Sequence, residues 1–177
     1  LYFTHDGSVR FTVSNPQNEE ADTKNGTLGH INAITSIANS NKTEASIGKF
    51  GVGFKAVFQY TQTPHIYDPE IRFKIERFIV PHMLDADLDW RQFSETVFFF
   101  PFDLKKKQPQ ESHDEILEKL KALEFPVLFL SSLKSVSFEA EKITGEYTKE
   151  VTRKIEQGDI TVQWITMALV VNGGRTA

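Results

Sequence analysis

The sequence contains no cysteine, and this absence excludes disulfide frameworks, thiolate metal sites and a cysteine nucleophile. Long apolar runs are also missing, since none approaches the ~20 residues that a helix needs to span a bilayer, and no signal-peptide pattern opens the chain. Positive charge is not in excess: with 20 Lys and Arg against 24 Asp and Glu, the net charge of -4 disfavours a nucleic-acid-binding surface. These absences favour a cytoplasmic protein that binds neither nucleic acid nor a membrane.

Several catalytic and metal-binding patterns are missing as well. The five histidines are far apart and form no H-x-x-x-H pair, so we expect no metal site. No G-x-S-x-G elbow is present, which leaves serine hydrolysis without support. Asp85, Asp87 and Asp89 alternate, but they lack the glycine and the terminal glutamate of a calcium loop. We interpret them as a solvated acidic turn.

The residues that are present have the composition of a folded domain. The 177 residues are 40% hydrophobic and 25% charged, which is enough to bury a core, so we expect one domain over residues 1–177. The first segment, residues 1–4, is apolar and strand-like and has no initiator methionine. We therefore expect the chain to be a fragment of something longer.

The pattern of apolar residues predicts an α+β fold. Helical spacing is seen in Leu28, Ile31, Ile34 and Ala38. The polar residues 14–26 before them are expected to form an exposed loop. Strand-like segments are found at residues 1–4, 65–67, 71–80, 96–100, 127–130, 136–138 and 160–164. Because helices and strands do not alternate regularly, we predict a two-layer sandwich with a mixed, mostly antiparallel sheet and helices on one face.

A further helix is predicted after a charged linker. Residues 105–110 are charged and contain Pro109, which we expect to break helical structure. Ser112 and Glu115 have the spacing of a capping box. The helix that they open carries one apolar stripe of Ile116, Leu117, Leu120 and Leu123. Residues 144–146 are interpreted as a hairpin turn, within C-terminal strands or a hairpin at residues 139–177.

A glycine-rich stretch at residues 47–55 is the strongest functional signal. Gly48, Gly51 and Gly53 follow a polar loop and precede a predicted buried helix. Their order is the reverse of a dinucleotide fingerprint, and the pattern of a Walker loop is missing. A helix that opens on glycines presents N–H groups at its positive end, and the absence of Cβ atoms allows phosphates to approach closely. The stretch is therefore predicted to bind phosphate.

The same stretch, Gly48-Lys49-Phe50-Gly51-Val52-Gly53-Phe54-Lys55, resembles the lid-and-phosphate motif of GHKL ATPases in the form used by heat-shock chaperones and sacsin. Other segments that resemble sacsin-type domains are Phe3-Thr4-His5-Asp6-Gly7 with Phe11-Thr12, Thr63-Pro64-His65-Ile66, and Glu95-Thr96-Val97-Phe98 with Pro101. Residues 127–138 resemble a later strand pair, so the resemblance covers residues 1–138.

The resemblance implies a fold of the Bergerat type that binds ATP together with Mg²⁺. Asp6, beside Gly7, would accept a hydrogen bond from the adenine amino group, and Thr96 would support that contact through a water. Lys42, in the polar loop that corresponds to the family's mobile lid, and Lys49 would add positive charge near the phosphates. The other residues implied at the phosphate site are Gly48, Phe50, Gly51, Val52, Gly53 and Phe54. The lid would report nucleotide occupancy to other domains or to client proteins.

The sequence also departs from the family's pattern. The family's glutamate general base and magnesium-binding asparagine lie on a helix upstream of the adenine-site strand, so neither is assigned here. Glu95 stands where the family has a glycine, and the turn after Asp6 lacks the second glycine. Two alternatives stay open: a degenerate domain that keeps the fold as an interaction platform without nucleotide, and a phosphate-binding enzyme of another family without adenine specificity.

Overall fold

The chain has an α+β structure, described here by a computed structural model that covers residues 1–6, 10–36, 53–124, 126–128, 130, 133–141, 143–172 and 174–176. Every strand pair in these ranges is antiparallel. The chain divides into two compact units, residues 1–112 and 113–177. No helix in the ranges given is both long and apolar enough to cross a membrane.

The first unit is built on a five-stranded sheet. Its strands are β1 (Tyr2–His5), β2 (His65–Tyr67), β3 (Arg72–Glu76), β4 (Val80–Met83) and β5 (Thr96–Phe99). They are adjacent in the order β1-β5-β2-β3-β4, so β5 is inserted between β1 and β2. The segments predicted from the sequence agree with these strands, except that residues 71–80 form the beginning of a hairpin rather than one strand.

The core of the first unit lies on one face of this sheet. It consists of Ile31, Ile66, Phe73 and Ile75, with Phe54, Phe58 and Phe98 among the residues packed against it. Along β3 the buried residues alternate with half-buried polar ones, as expected of a strand with one solvated face. Two short helices supply side chains to this cluster: α2 (His30–Thr35) and a 3₁₀-helix (Phe54–Gln59). Full burial of such a side chain stabilises the fold by ~1.5–3 kcal/mol.

A close backbone contact fixes where α2 begins. Gly29, the residue before α2, is buried, and its N–H donates to Ser14 Oγ over 2.8 Å. A Cβ atom added to Gly29 would be 2.4 Å from Ser14 N and 2.7 Å from Val13 C, both backbone atoms. Only a glycine therefore fits against the segment that precedes the helix.

The sequence predicts a loop at residues 14–26, but this prediction is wrong, because α1 (Glu19–Asn25) lies within them. None of the seven residues of α1 is buried, so no apolar stripe marks the helix in the sequence. Three acidic residues occupy its first turn and Lys24 its last, which is the distribution that the helix dipole favours. Gly26 ends the helix in a left-handed conformation with a φ of 71°.

The second unit contains a four-stranded sheet. Its strands are β6 (Ser135–Ala140), β7 (Ile143–Gln157), β8 (Ile160–Val171) and β9 (Gly174–Thr176), adjacent in that order. One helix, α3 (Pro109–Lys121), runs across the boundary between the units. Tyr147 Oη donates to Leu120 O over 2.6 Å, and Lys149 Nζ donates to Val127 O over 2.9 Å. The C-terminal end of α3 and the segment after it are thereby attached to one face of β7.

Several predictions for this region are wrong. A strand is expected at residues 127–130, but residues 126–128 form a turn. Pro109 is expected to break helical structure, yet it is the first residue of α3, where a missing N–H has no cost. Ser112 therefore lies inside the helix and does not cap it. Residues 144–146 are expected to form a turn, but they lie within β7, and the chain turns at Glu141, whose φ is 53°.

The hairpin of β7 and β8 contains a β-bulge at Thr152, where the register shifts. Trp164 and Ile165 are consecutive residues of β8 and therefore point to opposite faces. As a result, the large apolar residues of β8 before and after the bulge lie on opposite faces of the hairpin. The large apolar residues of the outer part are exposed: Ile155, Ile160, Val162 and Trp164. Arg153 lies over the Trp164 ring, with its guanidinium carbon 4.8 Å from the ring centroid.

Candidate functional site

Three polar residues form a row across the adjacent strands β1, β5 and β2. His5, the last residue of β1, is directly opposite Thr96, the first residue of β5. Tyr67, the last residue of β2, is opposite Val97. Because β2 and β5 are antiparallel, the next residue, Asp68, lies beside Thr96. Thr96 Oγ1 donates a hydrogen bond to Asp68 Oδ2 over 2.9 Å. Because neighbouring strands lie about 4.8 Å apart, the row is continuous from one strand to the next.

Asp68 is oriented by the turn that it begins. Its backbone N–H donates to Ile71 O over 3.0 Å, and its Oδ1 accepts a hydrogen bond from Glu70 N over 3.2 Å. Aspartate followed by Pro69 is a common start for such a turn. Asp68 and Thr96 are both fully buried. Both oxygens of the buried Asp68 side chain therefore have a hydrogen-bond partner, as a buried polar group requires.

Phe98 connects this row to the end of the glycine-rich stretch. Phe98 lies two residues after Thr96 in β5 and therefore points to the same face. Its ring centroid is 6.0 Å from that of His5 and 6.2 Å from that of Phe54. Phe54 is the first residue of the 3₁₀-helix. The structure thus brings two predicted site residues, Phe54 and Thr96, to one face of the sheet beside the end of β1.

Gly53 immediately precedes this 3₁₀-helix and is exposed. Its φ of -57° and ψ of -48° are helical values that any residue adopts. Among the described residues, none has an atom within 4 Å of a Cβ added to Gly53. The backbone conformation and the described neighbours of Gly53 would therefore allow a larger residue. A ligand that approaches the backbone closely would instead require a glycine at this position. The 3₁₀-helix that follows has six residues, none of which is fully buried, so it is less buried than predicted.

The other predicted site residues are placed as follows. Asp6 lies one residue beyond β1 with an exposed side chain, and His5 is the β1 residue opposite Thr96. The residues that lie outside the described ranges are Gly7, Lys42, Gly48, Lys49, Phe50, Gly51 and Val52. Their phosphate-binding role, like the adenine contact of Asp6, stays a prediction.

Lys55, the residue after Phe54, connects three parts of the first unit. Its Nζ donates to Ile34 O over 2.7 Å and to Phe78 O over 2.6 Å. Ile34 lies near the end of α2, and Phe78 lies in the turn between β3 and β4. Burial lowers the pKa of the Lys55 ammonium. Its charge is therefore directed at backbone carbonyls that hold the fold together.

A cluster of charged residues supports the segment that leads into Thr96. Arg91 Nε donates to Asp87 Oδ1 over 2.8 Å, and Arg72 Nη1 donates to Asp87 Oδ2 over 3.2 Å. Arg91 Nη1 also donates to Glu95 O over 2.8 Å, the carbonyl immediately before Thr96. The hydrogen bond to Asp87 raises the pKa of Arg91, with a smaller contribution from the charge of Asp68. The predicted solvated acidic turn is therefore wrong for Asp87, which is half-buried and paired, whereas Asp85 and Asp89 are exposed.

No family model, no curated protein and no solved structure matches this chain. In the part of the chain that the structure describes, no three histidine, aspartate or glutamate side chains come together as metal ligands would. The residues and geometry of the first unit are therefore the basis for a candidate function.

Proposed function

We propose that this chain binds ATP in a two-layer GHKL-type domain, with the adenine near the end of β1 and the phosphates near residues 48–53. The observation that carries the proposal is the position of Phe54 and Thr96, which are far apart in the sequence and share one face of the sheet. Both belong to segments that resemble GHKL ATPases of the sacsin and heat-shock-chaperone type.

The chemistry of this neighbourhood suits a purine base. The rings of His5 and Phe98 offer apolar surface against which a base can pack. The Thr96 and Asp68 pair adds a polar group in a fixed orientation, and sites for small molecules typically combine an apolar wall with a few such groups. Exposed Gly53, which has no described atom within 4 Å of its missing Cβ, immediately precedes the helix whose Phe54 contacts Phe98.

The proposed activity is the binding of ATP, not its hydrolysis. Mg²⁺, when bound with ATP, offsets the charge of the phosphates. The family's catalytic glutamate and its magnesium-binding asparagine are not assigned to any residue of this chain. ATP then acts as a conformational ligand, and its different affinities for two states of the lid set the switch. Other domains or client proteins would respond to the state of the lid.

Calorimetric titration of the wild type and of Gly53→Val with ATP and Mg²⁺ tests the proposal. No described residue has an atom within 4 Å of a Cβ at Gly53, so we expect the variant to unfold at the wild-type temperature. We expect its ATP affinity to fall by about 10-fold or more, because a branched side chain obstructs phosphate approach. Ala56→Val, which enlarges an exposed side chain of the same short helix, is the matched control.

Two outcomes would count against the proposal. A wild-type protein that releases no heat with ATP and Mg²⁺ excludes it. Wild-type affinity in Gly53→Val would remove this glycine from the site. Comparison with GTP separates the adenine-specific site from a phosphate site of another family.

The burial of Thr96 favours a second candidate function, a degenerate domain that serves as an interaction platform without nucleotide. Thr96 is fully buried, and its hydroxyl proton is given to Asp68. A ligand therefore reaches Thr96 only after the groups that cover it have moved. The same titration decides between the two functions, because a platform takes up no ATP.

A further inference from the structure

The outer part of the hairpin of β7 and β8 has unpaired strand edges. β6 pairs with β7 only as far as Thr148, and Lys149 N donates to Lys134 O, so residues 150–157 of β7 have no neighbouring strand on that side among the described residues. β9 pairs only with residues 169–171 of β8. The N–H and C=O groups of an unpaired edge are a template for a further strand, and a ribbon of two strands is marginally stable in water. The outer part is therefore suited to the addition of a strand.

The two faces of this outer part differ in character. Ile155 lies opposite Val162, and both are apolar side chains that share one face and are exposed. Lys154 and Glu156 alternate with Ile155 along β7 and therefore lie on the other face, where they form an ion pair with each other. The free edge of β7 thus has an apolar face and a face on which a positive charge is followed by a negative one.

A second copy of β7 fits the regular segment beyond the bulge in one register. When two copies of a strand pair antiparallel about a two-fold axis, one residue meets its own copy and its two neighbours meet each other. With Ile155 on the axis, Lys154 of each copy lies opposite Glu156 of the other. An axis at Arg153, Lys154 or Glu156 would place like charges opposite each other, which destabilises a strand pair. An axis at Gln157 would place most of the segment opposite the turn of the other copy.

We propose that two copies of this chain associate by pairing β7 with β7 in an antiparallel arrangement, with Ile155 on the two-fold axis. The two hairpins then form one four-stranded sheet in the order β8-β7-β7-β8, and the apolar faces of both copies become continuous. Two pairs of Lys154 with Glu156 across the interface fix the register. Because the paired segment is short, we expect a weak dimer with a Kd of about 1–100 µM. This association does not depend on the proposed binding of ATP.

Sedimentation equilibrium of the full chain, at protein concentrations on either side of this Kd, tests the proposal. Lys154→Glu and Glu156→Lys each place like charges opposite each other twice in the dimer, so we expect either substitution to raise the Kd about 10-fold or more. Both side chains are exposed, so the thermal unfolding of dilute protein should not change. Glu150→Lys is the matched control, because it reverses an exposed charge of the same strand outside the paired segment and should keep the wild-type Kd.

An equimolar mixture of Lys154→Glu and Glu156→Lys provides the sharpest test of the register. One variant then has two acidic residues at these positions and the other has two basic residues, so each cross-strand pair of a mixed dimer joins opposite charges. We expect the mixture to dimerise with about the wild-type Kd, while each variant alone stays largely monomeric. A mixture that stays monomeric overturns the proposed register.

Two further outcomes would overturn the proposal. A wild type that is monomeric at every concentration excludes the dimer, and flotation of that monomer with phosphatidylcholine vesicles would assign the apolar face to a lipid surface instead. A wild-type dimer whose Kd is unchanged in both charge variants would show that the two copies meet at another surface, such as the free edge of β8.

Discussion

Arg91 binds both carboxylate oxygens of Asp87, through Nε to Oδ1 over 2.8 Å and through Nη2 to Oδ2. The two partners differ in exposure, since the side chain of Arg91 is 4% exposed and that of Asp87 is 31% exposed. Asp87 is therefore the main carboxylate that compensates the charge of the buried arginine, which also donates to the carbonyl before Thr96. The pair of Arg91 and Asp87 therefore contributes both to the stability of the first unit and to the position of the backbone before Thr96.

Removal of the Asp87 charge should destabilise the first unit. Asp87→Asn leaves the guanidinium of Arg91 buried without its counter-charge, and we expect a loss of ~1–3 kcal/mol in the free energy of unfolding. Asp89→Asn is the control, because this carboxylate is exposed and its neutralisation should change stability by at most ~0.5 kcal/mol. Urea denaturation measures both values. Equal stability of the two variants would show that the pair contributes nothing.

The contribution of this pair should disappear in acid. The hydrogen bonds from Arg91 hold the pKa of Asp87 well below its usual range, so the unfolded chain takes up the proton at a higher pH than the folded protein. The stabilisation is therefore complete above the unfolded pKa of about 4 and is lost as pH falls through the folded pKa. The difference in Tm between wild type and Asp87→Asn should be constant from pH 7 to about 5 and should shrink below about 4. A difference that persists undiminished at pH 2 contradicts this assignment.

A third prediction concerns Gly29, which lies against the backbone that precedes α2. Gly29→Ala places a Cβ atom 2.4 Å from Ser14 N, and backbone atoms must shift to accommodate it. We expect a destabilisation of ~1–3 kcal/mol, typical of overpacking. Gly53→Ala is the matched control, since its φ is helical and no described atom is within reach, and it should be neutral or slightly stabilising. Chemical denaturation of the two variants should rank them in this order, and the reverse order would refute the prediction.

The strands could be predicted from the sequence where apolar runs or strict alternation mark them, as in β2, β3 and β5. α1 could not, because it buries none of its residues and is stabilised by charges at its ends. The start of α3 could not be predicted either. A proline inside a helix breaks it, whereas a proline at the first position, as Pro109 is in α3, is well tolerated. Local composition does not distinguish these two positions.

The candidate site was predictable only in part. Thr96 was identified from its motif, but its partner Asp68 depends on the register between β2 and β5, which no local pattern contains. A turn signal, aspartate followed by proline directly after a strand, was the only local sign of Asp68. The sequence located the end of β1 to within one residue, and one residue decides whether His5 or Asp6 lies beside Thr96.

The bulge at Thr152 divides the hairpin of the second unit into parts with different support. Tyr147, before the bulge, is buried and donates to a carbonyl of α3, whereas Trp164 beyond it is 45% exposed and faces the other way. One element packed on one face of the hairpin therefore cannot cover both Tyr147 and Trp164. The outer part is held by its own cross-strand pairs, and an isolated pair of strands is marginally stable in water. We therefore expect local unfolding to cost less free energy in the outer part than in the inner part.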